Sequence, residues 1–266
     1  MVLQERSNKT KVKCLLIGVA VLFVAGVLTA PSYAKVDPQT IVGMWLLDDG
    51  NGNTAKDSSG NNNNGTLTNG PKWVDGKFGK ALSFDGVDDY VAVPNSPSLN
   101  ITESITIAAW GKYNDVDARQ YVVSKGAAYL IEENSTKFLC DMFGCSKWLN
   151  SGWATTVLSK NVWYHVAATY NGSLISIYVN GVIESSNAAK CSSLGTTGNI
   201  LAIGSDVDGS SFDTDGTIDE VVIFNTALSE DDIKLIATWG IEVTLSGNAV
   251  DPSDKLTTTW AAIKTQ

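Results

Sequence analysis

Between Ile41 and Phe224 the chain is a succession of short segments rich in Val, Ile, Tyr and Trp, parted by clusters of Gly, Asn, Asp and Ser, with almost no apolar spacing of the helical kind. Such a pattern buries its apolar residues by stacking many short strands face to face, and it predicts an all-β sandwich or barrel. Strands are predicted at Ile41–Leu47, Tyr90–Val93, Ile105–Trp110, Tyr121–Ser124, Trp163–Tyr170 and Ile175–Val179. In Trp163–Tyr170 alternate residues face opposite sides and both sets are apolar, as in a central strand, so His165 is expected to be a hydrogen-bonded packing residue. Asn171-Gly172 and Asn180-Gly181 supply the positive φ angles of tight hairpin turns. The polar run from Asp57 to Gly65 has little to bury and is expected on the surface. A single helix is predicted to start at Ser229 as N-cap, with Glu230, Asp231 and Asp232 at the favourable end of its dipole, and to stop near Trp239-Gly240.

Residues 1–34 read as an export signal: Lys9, Lys11 and Lys13, an apolar run from Cys14 to Leu28, then Ser32-Tyr33-Ala34 with cleavage expected after Ala34. The run is too short for a standard membrane-crossing helix, so no stable span is expected once it is removed. The expected destination is secreted, extracellular or periplasmic. Of 19 Lys+Arg and 28 Asp+Glu, four bases and one acid lie in that segment, leaving a net charge near −12 on the remainder. This charge argues against nucleic acid or an anionic membrane surface as partner, both of which need basic patches. Three cysteines remain, Cys140, Cys145 and Cys191; an exported chain should oxidise one pair, and the sequence does not choose which.

Several blocks in order resemble laminin-G-like jelly-roll domains, relatives of the concanavalin A lectins and the pentraxins. They include Gly43-Met44-Trp45-Leu46-Leu47-Asp48, Gly79-Lys80-Ala81-Leu82-Ser83-Phe84-Asp85-Gly86-Val87-Asp88-Asp89-Tyr90, Trp163-Tyr164-His165-Val166, Tyr178-Val179-Asn180-Gly181 and Gly216-Thr217-Ile218-Asp219-Glu220-Val221. The resemblance implies a two-sheet antiparallel jelly-roll sandwich over residues 35–240, with one short helix near its C-terminal end. Residues 241–266 are then an appended strand or tail.

Pentraxins place calcium ligands just before one strand and in a loop between two late strands. By that resemblance Asp88 and Asp89 match the first position, and Asp206 and Asp208 the second. Alternating Asp-x-Asp in a loop can aim two carboxylates at one centre, and calcium takes six to eight oxygens, so one calcium ion is expected at these four residues. Val207 stands where a pentraxin has a polar ligand, which puts a second ion in doubt. Asp85, Asp213, Asp215 and Asp219 complete the acidic set of interest. Sugar-binding sandwiches present exposed rings, and Tyr113, Trp148 and Trp153 lie in polar, loop-like surroundings that make them candidates for ligand contact.

Glucanases of the same superfamily use paired carboxylates facing one cleft. Asp219 and Glu220 are adjacent in a predicted strand and so should point to opposite faces, and no Glu-x-Asp-x-x-Glu motif occurs. The expectation is therefore a non-catalytic module binding a glycan or glycoprotein. The alternatives are a glycoside hydrolase of the same superfamily, or a structural surface protein that self-associates through an unpaired cysteine or a strand edge.

Overall fold

The computed structural model describes residues 36–207, 209 and 211–246; the expected signal segment, Asp208 and residues 247–266 lie outside them. In chain order the strands are β1 (Ile41–Trp45), β2 (Thr54–Ala55), β3 (Gly65–Thr68), β4 (Lys72–Asp75), β5 (Lys80–Asp85) and β6 (Tyr90–Val93). They continue with β7 (Ile105–Tyr113), β8 (Gln120–Ser124), β9 (Tyr129–Asn134), β10 (Lys137–Gly144) and β11 (Lys147–Asn150). The last five are β12 (Trp163–Tyr170), β13 (Leu174–Val179), β14 (Val182–Ala188), β15 (Leu201–Ile203) and β16 (Asp215–Phe224).

The strands form two antiparallel sheets, the jelly-roll sandwich that the resemblance implies and one of the two architectures that the strand pattern allows. The first has the order β14-β13-β12-β7-β16-β5-β4, with β1 also on β16; the second has the order β11-β10-β9-β8-β15-β6-β3-β2. One edge of β16 is shared: Asp215–Ile218 pair with β5 and Val221–Phe224 with β1. The core between the sheets holds Trp45, Phe84, Val91, Ile107, Tyr113, Ile131, Val166 and Ile223 among many others. Burial of this apolar surface is the main favourable contribution to folding.

A second apolar cluster lies on the outer side of the first sheet, where Ala108, Ala167, Tyr178 and Val222 meet Ile233 and Ile236 of helix α1 (Glu230–Trp239). Helix α1 begins as predicted: the Ser229 hydroxyl accepts from the Asp232 N–H at 3.2 Å. Gly240 ends it at φ 78°, a conformation that favours glycine. The first residues of the expected appended strand or tail form a second helix, α2 (Ile241–Ser246), with Ile241 wholly buried in the same cluster; residues 247–266 lie outside the described residues.

The two Asn-Gly hairpins form as predicted, linking β12 to β13 and β13 to β14. The polar run after Asp57 is largely exposed, but its first carboxylate is not. Asp57 is buried and accepts four hydrogen bonds, from the Met44, Ser59 and Asn63 N–H groups and the Ser59 hydroxyl, at 2.8–2.9 Å. The loop folds around this one side chain, and Asn63 in turn accepts from the Trp45 indole N–H through its carbonyl.

Cys145 and Cys191 form a disulfide between the tip of the β10–β11 hairpin and the segment after β14. Cys140 is free and fully buried on the inward side of β10. Its burial leaves the thiol poorly placed for a bond to another chain, which counts against the alternative of association through an unpaired cysteine.

Candidate functional site

The turn from β5 to β6 gathers three carboxylates. Asp85, Asp88 and Asp89 each present an oxygen within 4.8 Å of the others. Asp85 accepts from the Val87 N–H, while Asp89 takes the Asp85 N–H on Oδ2 at 3.1 Å. Asp89 is only 4% exposed, and its Oδ1 has no hydrogen-bond partner among the described residues. Burial, followed by the charges of Asp85 and Asp88, pushes its carboxyl above the usual range, against the Asp85 N–H and the Lys72 ammonium. A cavity of about 200 Å³ adjoins it, lined by Asn69, Gly70, Lys72 and Asp85.

This is not the expected set of four. Asp206 does not join the group among the described residues. Its Oδ1 is taken by the Ser124 hydroxyl at 3.0 Å and the Val207 N–H at 2.7 Å, which turns it toward β8. Asp208 lies outside the described residues. Asp85 takes a place because β5 runs on to the turn and delivers it there. Its position in the Phe84-Asp85-Gly86-Val87-Asp88-Asp89 block is the sequence signal that could have found it.

The outward face of the second sheet offers a different surface. Tyr129, Ile131, Cys140, Met142 and Leu149 face the core, so their neighbours Leu130, Asp141 and Trp148 face out. A bulge between Tyr121 and Val123 keeps both Val122 and Val123 inward and Tyr121 outward. Phe212 stacks on Tyr121 with ring centres 4.7 Å apart, and the Arg119 guanidinium lies over both rings. Glu132, on the same face, anchors that guanidinium through Nε at 2.6 Å. Arg119, Tyr121, Leu130, Asp141 and Trp148 line a cavity of about 280 Å³. Trp148 is 49% exposed and meets Phe143 edge-on.

The other two aromatic candidates fare differently. Trp153 is 46% exposed but does not line this cavity. Tyr113 is fully buried, edge-on to Phe138 in the core, and presents nothing to a ligand. It looked loop-like because Lys112 and Asn114 flank it, whereas β7 runs three residues past Trp110 and carries Tyr113 inward.

Residues 85–234 match the Laminin_G_3 family model, described as the concanavalin A-like lectin/glucanases superfamily. The chain belongs to this superfamily. Among solved structures it is similar to the fourth domain of an extracellular family-43 arabinanase from Geobacillus stearothermophilus, solved with arabinotriose: TM-score 0.61, 21% identity, 75% of this chain and 98% of that one. It is also similar to the binding domain of Paraclostridial Mosquitocidal Protein 1, with TM-score 0.60, 18% identity, and 75% and 52% of the two chains. The binding domain of botulinum neurotoxin serotype D follows at TM-score 0.59, 14% identity, and 75% and 51%. The chain thus spans about half the length of both toxin domains. At these identities the likeness is one of fold. No curated protein matches the sequence. No helix among the described residues is long and apolar enough to cross a membrane.

Membership of a superfamily that contains glucanases makes Asp219 and Glu220 worth placing. They do not alternate as a regular strand requires, because the register of β16 shifts between Asp219 and Val222 and Glu220 adopts φ 47°. The premise of opposite faces therefore fails, and both acids are buried. Asp219 is fully buried and accepts from the Lys77 and Phe78 N–H groups at 2.8 and 3.0 Å; Glu220 accepts from the Ile241 N–H at 3.0 Å. They fasten the β4–β5 turn and the start of α2 to β16. His165, on the same face across Trp110, is also buried, but its ring nitrogens have no partner among the described residues, contrary to the expected hydrogen bonding.

Burial, aided by Asp48, raises the Asp219 carboxyl to about 7, and burial with neighbouring acids raises Glu220 to about 8. Burial likewise raises Glu133 to about 8. A carboxyl that holds its proton more tightly folded than unfolded favours folding at acid pH, and that contribution is lost as pH rises from about 4 through about 8. His165, held down to about 3 by burial, acts oppositely and weakens the fold as pH falls below about 6.5. Asp219→Asn with Glu220→Gln mimics the neutral acids. Its melting temperature should fall less than the parent's between pH 5.5 and 8.5; parallel curves would refute the burial argument.

Proposed function

We propose that this chain is an exported, non-catalytic module that binds carbohydrate or a glycoprotein on the outward face of its second sheet, supported by one calcium ion at Asp85, Asp88 and Asp89. The observation that carries the reading is the half-exposed Trp148 indole beside the Arg119 guanidinium and the Asp141 carboxylate in one open cavity. A flat ring covers the apolar face of a sugar while flanking polar groups take its hydroxyls, the usual division of labour in a small-molecule site. An arabinanase domain solved with arabinotriose and toxin binding domains of the same fold support a binding role.

Calcium is favoured by the chemistry of the donors. Three carboxylates bring only hard oxygens, and Asp89 Oδ1 is an unanswered acceptor that a hard cation would satisfy while relieving the repulsion among the three. Lys72 is the local competitor. The ion would act by holding the β5–β6 turn.

A glycan array, arabinotriose included, run with calcium and with chelator tests both parts. Trp148→Ala should weaken binding roughly tenfold or more, about 1.4 kcal/mol. Calcium should raise the melting temperature of the parent and not of Asp89→Asn, since an ion that binds only the folded chain stabilises it. An array signal indifferent to Trp148→Ala sinks the proposed face, and a calcium-indifferent melting temperature sinks the metal. Release of reducing ends from a polysaccharide panel would favour the hydrolase reading instead.

A further inference from the structure

A cavity of about 450 Å³, larger than the one beside Trp148, lies where β1 enters the sandwich, against the 97–104 connection from β6 to β7 and Asn225 after β16. Register places it. β16 starts at Asp215 opposite Asp85 and ends at Phe224 opposite Ile41, so the trough and the acidic turn sit at opposite ends of one strand, roughly 30 Å apart.

Its rim is unusual in chemistry. Four carboxamides, Gln39, Asn61, Asn100 and Asn225, line it with one charged group, Glu103, around apolar surface of Ile41 and Ile101. The Asn61 amide is fixed by donating to the Ile41 carbonyl and the Ser59 hydroxyl. Asn100 Oδ1 is shut off from solvent and has no hydrogen-bond partner among the described residues. A shielded acceptor without a partner is costly, and a small turn of the Asn100 side chain toward the trough would let a ligand hydroxyl answer it. Carboxamides offer donor and acceptor together without charge, which matches sugar hydroxyls, while the lone carboxylate disfavours anions. The volume falls in the range of small-ligand sites.

We propose that this trough is a second ligand site, taking a short neutral oligosaccharide without a metal ion. It stands whether or not the Trp148 face binds. Two sites on one chain would let a single polysaccharide be held at two points, with the gain in avidity that linkage gives.

The test is a titration of the ¹⁵N-labelled protein with maltotriose, cellotriose and mannotriose in the presence of EDTA, reading the side-chain amide signals. The expected result is saturable movement of the Gln39, Asn100 and Asn225 signals with at least one trisaccharide. Gln39→Ala with Asn225→Ala, both exposed positions, should weaken that binding roughly tenfold. The Trp148 indole N–H signal reports the other face separately. If none of the three sugars moves the trough signals, or if the double variant binds as tightly as the parent, the proposal is overturned.

Discussion

Asp57→Ala is expected to destabilise the fold by about 4 kcal/mol, lowering the melting temperature by about 10 °C. The substitution removes one acceptor group and strands four donors: the Met44, Ser59 and Asn63 N–H groups and the Ser59 hydroxyl. Hydrogen bonds to an ionised group are worth about 1.5 to 3 kcal/mol each, and exposed donors recover part of that from water. Met44 and Asn63 are the costly ones, because both are buried and water reaches them poorly. Asn63 also holds the Trp45 indole N–H, so loosening the loop is felt by a fully buried ring. Asp57→Asn keeps the shape but exchanges an acceptor for a donor, and it should fall between parent and alanine. Thermal unfolding of the three proteins checks the order; an alanine variant within about 1 kcal/mol of the parent would show the loop to be dispensable.

Removing the disulfide should cost a similar amount. Cys145 and Cys191 are 46 residues apart, and closing a loop of that length is worth about 4 kcal/mol through the unfolded state. The bond matters locally as well, since β11 is an edge strand whose exposed Trp148 belongs to the proposed binding face. The Gly195 N–H to Phe143 carbonyl bond at 2.7 Å and the Gly144–Leu194 bridge remain without it, so the hairpin should loosen rather than detach. Cys145→Ser with Cys191→Ser is therefore expected to melt well below the parent and to bind glycan more weakly. A melting curve unchanged by reductant would contradict this.

Much of the fold is legible in the sequence because its rules are local. The strands Tyr90–Val93 and Trp163–Tyr170 show in their apolar and β-branched runs, and Asn171-Gly172 and Asn180-Gly181 in their backbone tolerance. What is not legible depends on distant partners. Asp57 looks like any loop acid until Met44 and Asn63 are brought to it. Tyr113 reads as exposed because composition beside it is polar, whereas strand parity decides its direction. Glu220 breaks alternation because β16 changes neighbour there, from β5 to β1. The candidate sites are less legible still. Arg119 and Phe212 meet over Tyr121 from opposite ends of nearly a hundred residues, and the acidic turn recruits Asp85 while Asp206 is held by Ser124.

The shared edge of β16 also sets an order of events during folding. Ile41 at the start of β1 pairs with Phe224, so among the described residues the first strand finds its one sheet neighbour more than 180 residues downstream. Contacts of such separation are slow to close, because loop entropy must be overcome before pairing rewards it. Until β16 arrives, β1, β5 and β7 lack the strand that joins them, and the first sheet cannot be completed. A chain emerging from its N-terminal end would thus keep this sheet incomplete until nearly all of it is available, a delay that leaves apolar edges in need of protection meanwhile.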